Sequence, residues 1–249
     1  MKDFEIKEYL DGLVLKNNTK AFIKDDPVQF PHRYSDLRDI EIVSFLVATI
    51  AWGNRKMILN SANKMLDMMG KSPYDYVMSG GWEQLDPDKC VHRTFFGRDL
   101  KCYCKAFQAM YKIPRFARND KPTLENVFFN EEHDIWRGIE NFRNMIAEAN
   151  GCASKPNNNS ACKKLHMALR WLVRDDGIVD LGVWKKLKPK DLMIPLDVHV
   201  ARVSRDLGLI ERKSNDRKAV ELLTAKLREF DPNDPVKYDF ALFGVELMP

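Results

Sequence analysis

The feature that most constrains this chain is the helical repeat of its apolar residues, which recurs along nearly the whole length. Ile40, Val43, Leu46, Val47, Ile50 and Ala51 fall at helix spacing, as do Ile58, Ala62, Met65, Leu66 and Met69. Leu100, Tyr103, Phe107 and Tyr111 mark a further helix, opened by Asp99 as its N-cap, and Ile135, Ile139, Phe142 and Ile146 mark the next. Helices are predicted again at about 160–174, 198–207, 215–229 and 235–246. Asn233-Asp234-Pro235 is a start signal, a capping residue followed by proline in the first turn. There is no sustained two-residue alternation and no Asn-Gly hairpin between apolar runs, so strands should be absent or minor. Helices with one apolar stripe bury it against other helices, which predicts an all-α fold.

The 249 residues are read as one all-α unit over 1–249, with a lobe junction near 149–160. Two segments look irregular, Gly151–Asn159 and Asp175–Pro189. The longest nearly apolar stretch, Ile42–Trp52, is too short to span a bilayer, and the first residues, MKDFEIKEYLDGL, lack the apolar core of a signal peptide. The expectation is a cytoplasmic protein, monomeric and without membrane contact. The cysteines are Cys90, Cys102, Cys104, Cys152 and Cys162, with no Cys-x-x-Cys pair and none after Cys162. They are expected as free thiols, with no metal site and no cofactor.

Charge is uneven. Residues 151–249 hold 18 Lys+Arg against 14 Asp+Glu, whereas the first 150 residues hold 22 of each, so the net +4 lies in the C-terminal part. A basic half suits a polyanionic partner, because lysine and arginine neutralise phosphates and release counterions.

The most informative stretch is Ile194–Leu207, IPLDVHVARVSRDL. Pro195 ends the incoming segment, Asp197 sits where a helix begins, and Val200, Val203 and Leu207 continue its buried face. A carboxylate there is held ionised by free backbone amides and the helix dipole. A fixed negative charge of this kind can stabilise a carbon that turns cationic as its leaving group departs. Aspartate is also among the commonest N-caps, so a cap alone would equally explain the residue.

Residues 194–207 resemble the helix opening of the helix-hairpin-helix DNA glycosylases, the superfamily of endonuclease III and the adenine and 8-oxoguanine glycosylases. Their Val/Pro-Asp-x-His/Arg-Val/Ile-x-Arg-Val stretch reads here Leu196-Asp197-Val198-His199-Val200-Ala201-Arg202-Val203. Ile42–Ile58 is similar to the helix and loop that place a wedge side chain in DNA. Gly97–Met110 resembles the helix that begins with a Lys-Ala segment, here Lys105-Ala106, and Tyr238–Gly244 (YDFALFG) resembles the closing helix. At full length the chain is still more similar to a bacterial family, filed as a domain of unknown function, that shares this core. The motifs that carry this are SACKKLHMALRWLVR (160–174) and DPVKYDFALFG (234–244).

The resemblance implies a two-lobed helical globule of the glycosylase type and an N-glycosylase acting on a damaged base, with double-stranded DNA as partner and a further AP-lyase step in bifunctional members. It assigns Asp197 the catalytic carboxylate. It makes Lys163 the Schiff-base nucleophile, with Lys164 as the one-residue-shifted alternative. Such a lysine must be partly desolvated to react at neutral pH; otherwise both lysines are surface cations. Asn158, Asn159 and Ser160 correspond to the hairpin that contacts phosphate, and His199 and Arg202, which flank the buried face of the 198–207 helix, are further DNA-contact candidates. Trp52, Asn54 and Arg55 occupy the wedge loop, where Trp52 also reads as core, and Tyr238 and Asp239 would line the base pocket. His166 reads as locally satisfied, and Trp171, on the hairpin helix with Arg170 and Arg174, as structural.

The chain departs from the pattern in three places. Asn157-Asn158-Asn159-Ser160 replaces the usual Leu-Pro-Gly-x-Gly hairpin, Asp175–Pro189 is an extra segment, and the ligands of endonuclease III's iron–sulfur cluster are missing. No cluster is expected. A non-catalytic nucleic-acid-binding protein that retains the fold is the alternative reading, and a helical protein–protein adaptor the third.

Overall fold

The computed structural model describes residues 2–113, 123–151 and 159–245. The chain divides into two compact units, residues 1–25 with 157–249, and residues 26–156. Helix dominates, at 65% of the described residues against 3% strand, so the all-α expectation holds at that level. None of the described helices is long and apolar enough to cross a membrane.

The first unit opens with α1 (Asp3–Asn17) and α2 (Lys20–Asp25). The chain then builds the second unit from α3 (Leu37–Ile50), α4 (Arg55–Met69), α5 (Pro73–Met78), α6 (Gly97–Lys112), α7 (Glu125–Phe128) and α8 (Ile135–Ala149). α3 is its core helix. Ile42, Val43, Phe45, Leu46, Val47 and Ile50 are all buried, and a helix apolar around most of its circumference has to be enclosed. Phe45 stacks on Phe128 at 5.3 Å and on Phe142 at 4.8 Å, which ties α3 to α7 and α8. Glu41, also buried, accepts hydrogen bonds from the Tyr111 hydroxyl (2.7 Å), the Leu124 amide (3.0 Å) and the Thr123 hydroxyl. A buried carboxylate is tolerated when its lone pairs are filled in this way.

One detail of this unit differs from the sequence expectation. Asp99 does not cap α6. The helix begins at Gly97, and Asp99, in its first turn, accepts from the Phe96 amide at 2.7 Å. Among the described residues of this unit, strand is limited to a small antiparallel pair, β1 (Cys90–His92) and β2 (Phe95–Phe96), in keeping with the expectation of minor strand. Asn54 caps α4, its Oδ1 accepting from the Met57 amide at 3.2 Å.

The chain returns to the first unit with α9 (Lys163–Val173), α10 (Val198–Asp206), α11 (Arg217–Phe230) and α12 (Asp239–Gly244). The helix expected at 235–246 is divided, a 3-10 turn over Pro235–Tyr238 preceding α12. Asp234 caps that turn through the Lys237 amide at 3.2 Å. α1 docks on α12, where Asn17 Nδ2 donates to the Phe240 carbonyl at 3.1 Å. The segment 175–189 forms no α-helix, yet it is fastened to the end of α9. The Leu181 amide donates to the Trp171 carbonyl (2.8 Å) and the Trp184 amide to the Leu172 carbonyl (2.9 Å). Val179, Trp184 and Leu187 are buried beneath it. Trp171 is fully buried, as its structural reading requires.

Candidate active site

α9 begins abruptly. Cys162, at its amino end, has φ of 47°, a left-handed conformation that a non-glycine residue adopts only when its surroundings fix it. The Ser160 hydroxyl accepts from the Cys162 amide at 3.2 Å, and Ser160 pairs with Asp216 as an isolated bridge. The Arg217 amide donates to the Asn159 carbonyl at 3.0 Å, so this turn is pinned to the start of α11. Asn159 and Ser160 therefore hold the turn that aims α9, and Asn158 lies outside the described residues.

From that turn, residues 163, 167, 170 and 174 follow at spacings of four, three and four and share one side of the helix. Each carries a polar or polarisable end. Lys163 Nζ lies 3.4 Å from Met167 Sδ and 3.9 Å from Asp197 Oδ2. Arg170 binds Asp180 at 3.2 Å and also pairs with Asp239. Arg174, just past the helix, pairs with Asp176, with Asp180 at 3.1 Å and with Asp234 at 2.7 Å. The lysine end of this row is partly exposed and the arginine end is buried.

Asp197 stands at the N-cap of α10, and its Oδ1 accepts from the Val200 amide at 2.9 Å. Both alternatives drawn from the sequence are thus compatible: one oxygen caps the helix, and the other faces Lys163. Asp239, in the first turn of α12, is a second and more deeply buried carboxylate. Burial pushes it up to about 6, against the opposing pull of Arg170 and Lys163, while the negative charges of Asp197 and Asp180 raise it further. Desolvation wins here because taking the Asp239 carboxylate out of water costs more than the two cations return.

The two lysines divide the properties of a nucleophile between them. Lys163 has the carboxylate neighbour. Lys164 is brought down to about 8, first by burial and then by the adjacent Lys163 charge. At pH 7.5 an amine at about 8 is roughly one quarter neutral, against about one part in a thousand at the ordinary value. His166, one turn in, is fully buried and held neutral, pushed down to about 3 by desolvation.

The other expected residues are placed as follows. His199 lies edge-on to Phe243 with centroids 6.1 Å apart, and exposed Arg202 meets Asp206 at 3.6 Å; both belong to α10. Tyr238 is not brought to the carboxylates. Its side chain is buried and its hydroxyl donates to Asp11 Oδ1 at 3.0 Å, in the company of Asp231 and Asp234. Trp52, Asn54 and Arg55 belong to the unit of residues 26–156, Trp52 half-buried and the other two exposed. The part that sequence reasoning missed is the pairing of Arg170 with Asp239 and Asp180. The i, i+4, i+7 row from Lys163 was its only local signal. Among the described residues, no three His, Cys, Asp or Glu side chains are grouped as metal ligands. Cys90, Cys102, Cys104 and Cys162 are free thiols.

The chain belongs to the family described as Protein of unknown function (DUF2400), whose model matches residues 26–248. No curated protein matches it. No solved structure matches it either.

Proposed function

We propose that this member of the DUF2400 family is a base-excision N-glycosylase of the helix-hairpin-helix type, acting on a damaged base in double-stranded DNA and carrying an AP-lyase step. The observation that carries this reading is the Lys163–Asp197 pair, an amine 3.9 Å from a carboxylate oxygen that the helix cap leaves free. The resemblance of residues 194–207 to the glycosylase helix opening supports it independently.

In this chemistry the bond between the sugar C1′ and the base nitrogen breaks, and the base leaves with the bonding electrons and takes up a proton. Positive charge grows on the sugar, and Asp197 stabilises it electrostatically. A neutral lysine amine, having given its proton to a carboxylate or to water, attacks C1′ and forms the covalent intermediate. Lys163, beside Asp197, is the proposed nucleophile, and Lys164, brought down to about 8 by burial, is the alternative. Asp239, beside Lys163 and with its proton held at about 6, supplies a group that can accept and return a proton near neutral pH. The partner is bound through phosphate neutralisation by the basic C-terminal part, with the target nucleotide extruded from the duplex.

Borohydride trapping tests the reading, on duplexes carrying an abasic site and on a panel of damaged bases. Wild type, Lys163→Ala, Lys164→Ala and Asp197→Asn are compared. The expected result is a covalent adduct lost in one lysine variant, and slowed base release in Asp197→Asn with DNA affinity kept. DNA binding with neither adduct nor base release on any substrate would overturn the enzyme and leave a non-catalytic binding protein.

A further inference from the structure

The unit of residues 26–156 holds an arrangement that the chemistry at Lys163 does not use. Arg93 lies between β1 and β2 with φ of 53°, again a left-handed non-glycine residue. Its guanidinium stands over the Trp52 ring, 4.3 Å from the centroid. The two segments are locked together beneath that stack. His92 Nε2 meets the Trp52 carbonyl at 3.0 Å and its Nδ1 meets the Ser61 hydroxyl at 3.0 Å, while the His92 and Trp52 rings lie edge to face. Gly53 completes the seat. At its φ of 97°, an added Cβ would come within 2.3 Å of Arg93 Nη1, so the space taken by the guanidinium is the space a side chain would fill.

Arg93 is exposed, and among the described residues neither a carboxylate nor a hydrogen-bond acceptor meets its guanidinium. Arg98 shows the contrast within the same region: it too lies over an aromatic ring, Phe96 at 4.5 Å, but it is paired with Asp88 at 2.9 Å. An exposed guanidinium held over an indole ring has N–H groups to offer an anion, in the planar fork that matches two phosphate oxygens. The segment that carries Trp52 has the same sign. From Ile42 to Leu66 there is no Asp or Glu, whereas Arg55, Lys56 and Lys64 all fall in that span. Asn54, Arg55 and Lys56 are exposed at the amino end of α4, where backbone amides and the helix dipole also favour an anion.

We infer that the Trp52–Arg93 stack is a receptor for one phosphodiester group of a nucleic-acid backbone. This rests on the nucleic-acid partner proposed above, though not on the chemistry at Lys163 or Asp197. Trp52 is thereby a platform for a cation, not a side chain that enters the base stack.

The test is binding of the full chain to a short undamaged DNA duplex, followed by fluorescence anisotropy between 50 and 200 mM KCl. Wild type is compared with Arg93→Gln, Arg93→Lys and Arg98→Gln. One lost phosphate contact lowers the slope of log affinity against log salt by about 0.9. The advantage of wild type over Arg93→Gln should therefore shrink about 3.5-fold across that range. Arg93→Lys should keep the wild-type slope with weaker binding, and Arg98→Gln should match wild type. Equal slopes for wild type and Arg93→Gln would overturn this inference and leave the glycosylase reading standing. No duplex binding by wild type at 50 mM would overturn both.

Discussion

Replacing Asp239 with asparagine measures what a buried carboxyl costs this fold. The residue is 8% exposed and faces Arg170, with the charges of Lys163, Asp197 and Asp180 close enough to act on it. Burial is the largest influence and holds its proton at about 6 in place of the ordinary 3.8. The folded chain therefore binds this proton about 150-fold more tightly than the unfolded chain, a difference of roughly 3 kcal/mol. The folded value lies above the unfolded one, so stability falls as pH rises from about 4 through about 6, and the full cost is present above that window. Asparagine carries no charge to desolvate. Asp239→Asn should be more stable than wild type at pH 7.5 by about 1–3 kcal/mol, and the gap should close toward pH 4.5. Urea unfolding at the two pH values, followed by far-UV circular dichroism, gives both numbers. Destabilisation at pH 7.5, or a gap equal at both pH values, would refute the reasoning and make the Arg170 pair worth more than the burial costs. A gain in stability with a loss of base release would place Asp239 among groups kept for activity at the expense of the fold.

Two further substitutions probe the packing around the two halves of the chain. Arg170→Met leaves Asp180 and Asp239 buried without their shared cation and should cost about 3–5 kcal/mol at pH 7.5, less at pH 5 where Asp239 takes up its proton; an unchanged urea midpoint would count against the pairing. Gly138→Ala adds a Cβ that would lie 2.5 Å from the Phe128 carbonyl oxygen and 2.6 Å from its Cα. Overpacking against α7 should outweigh the helix-propensity gain and lower stability by about 1–2 kcal/mol, read as a fall in Tm, where an open helical glycine would give a rise.

What could be read from the sequence follows the range over which each signal acts. The stripes through Ile40–Ile50 and Ile58–Met69 are set within a few turns, and they correspond to α3 and α4. Asp197 was readable as a cap because Pro195, Val200 and Val203 all lie within two turns of it. The N-cap expected at Asp99 lies three residues earlier, at Phe96, because a first-turn carboxylate and an N-cap carboxylate leave the same local pattern, and only the bond from the Phe96 amide separates them. The hairpin holding Arg93 has too few residues to show alternation, and its left-handed arginine has no glycine to announce it. Arg170 and Asp239 are 69 residues apart, and α1 meets α12 across nearly the whole chain. Pairings at that range leave no periodic trace.

Lys163 and Lys164 show why the site itself needed the fold. Adjacent residues on an α-helix are about 100° apart around the axis, so only one of the two can share a side with Met167 and Arg170. The sequence offers both as equals, whereas the structure gives Lys163 the Asp197 neighbour and Lys164 the more easily lost proton. These two advantages cannot act through one side chain. If Lys163→Ala abolishes trapping, proximity to the carboxylate decides reactivity, and the lowered proton affinity of Lys164 is a by-product of its burial beside another cation. If Lys164→Ala abolishes it, deprotonation decides, and α9 must turn about its axis or tighten its first turn when DNA is bound. The left-handed Cys162, immediately before both lysines, is the hinge at which such a rotation would be absorbed.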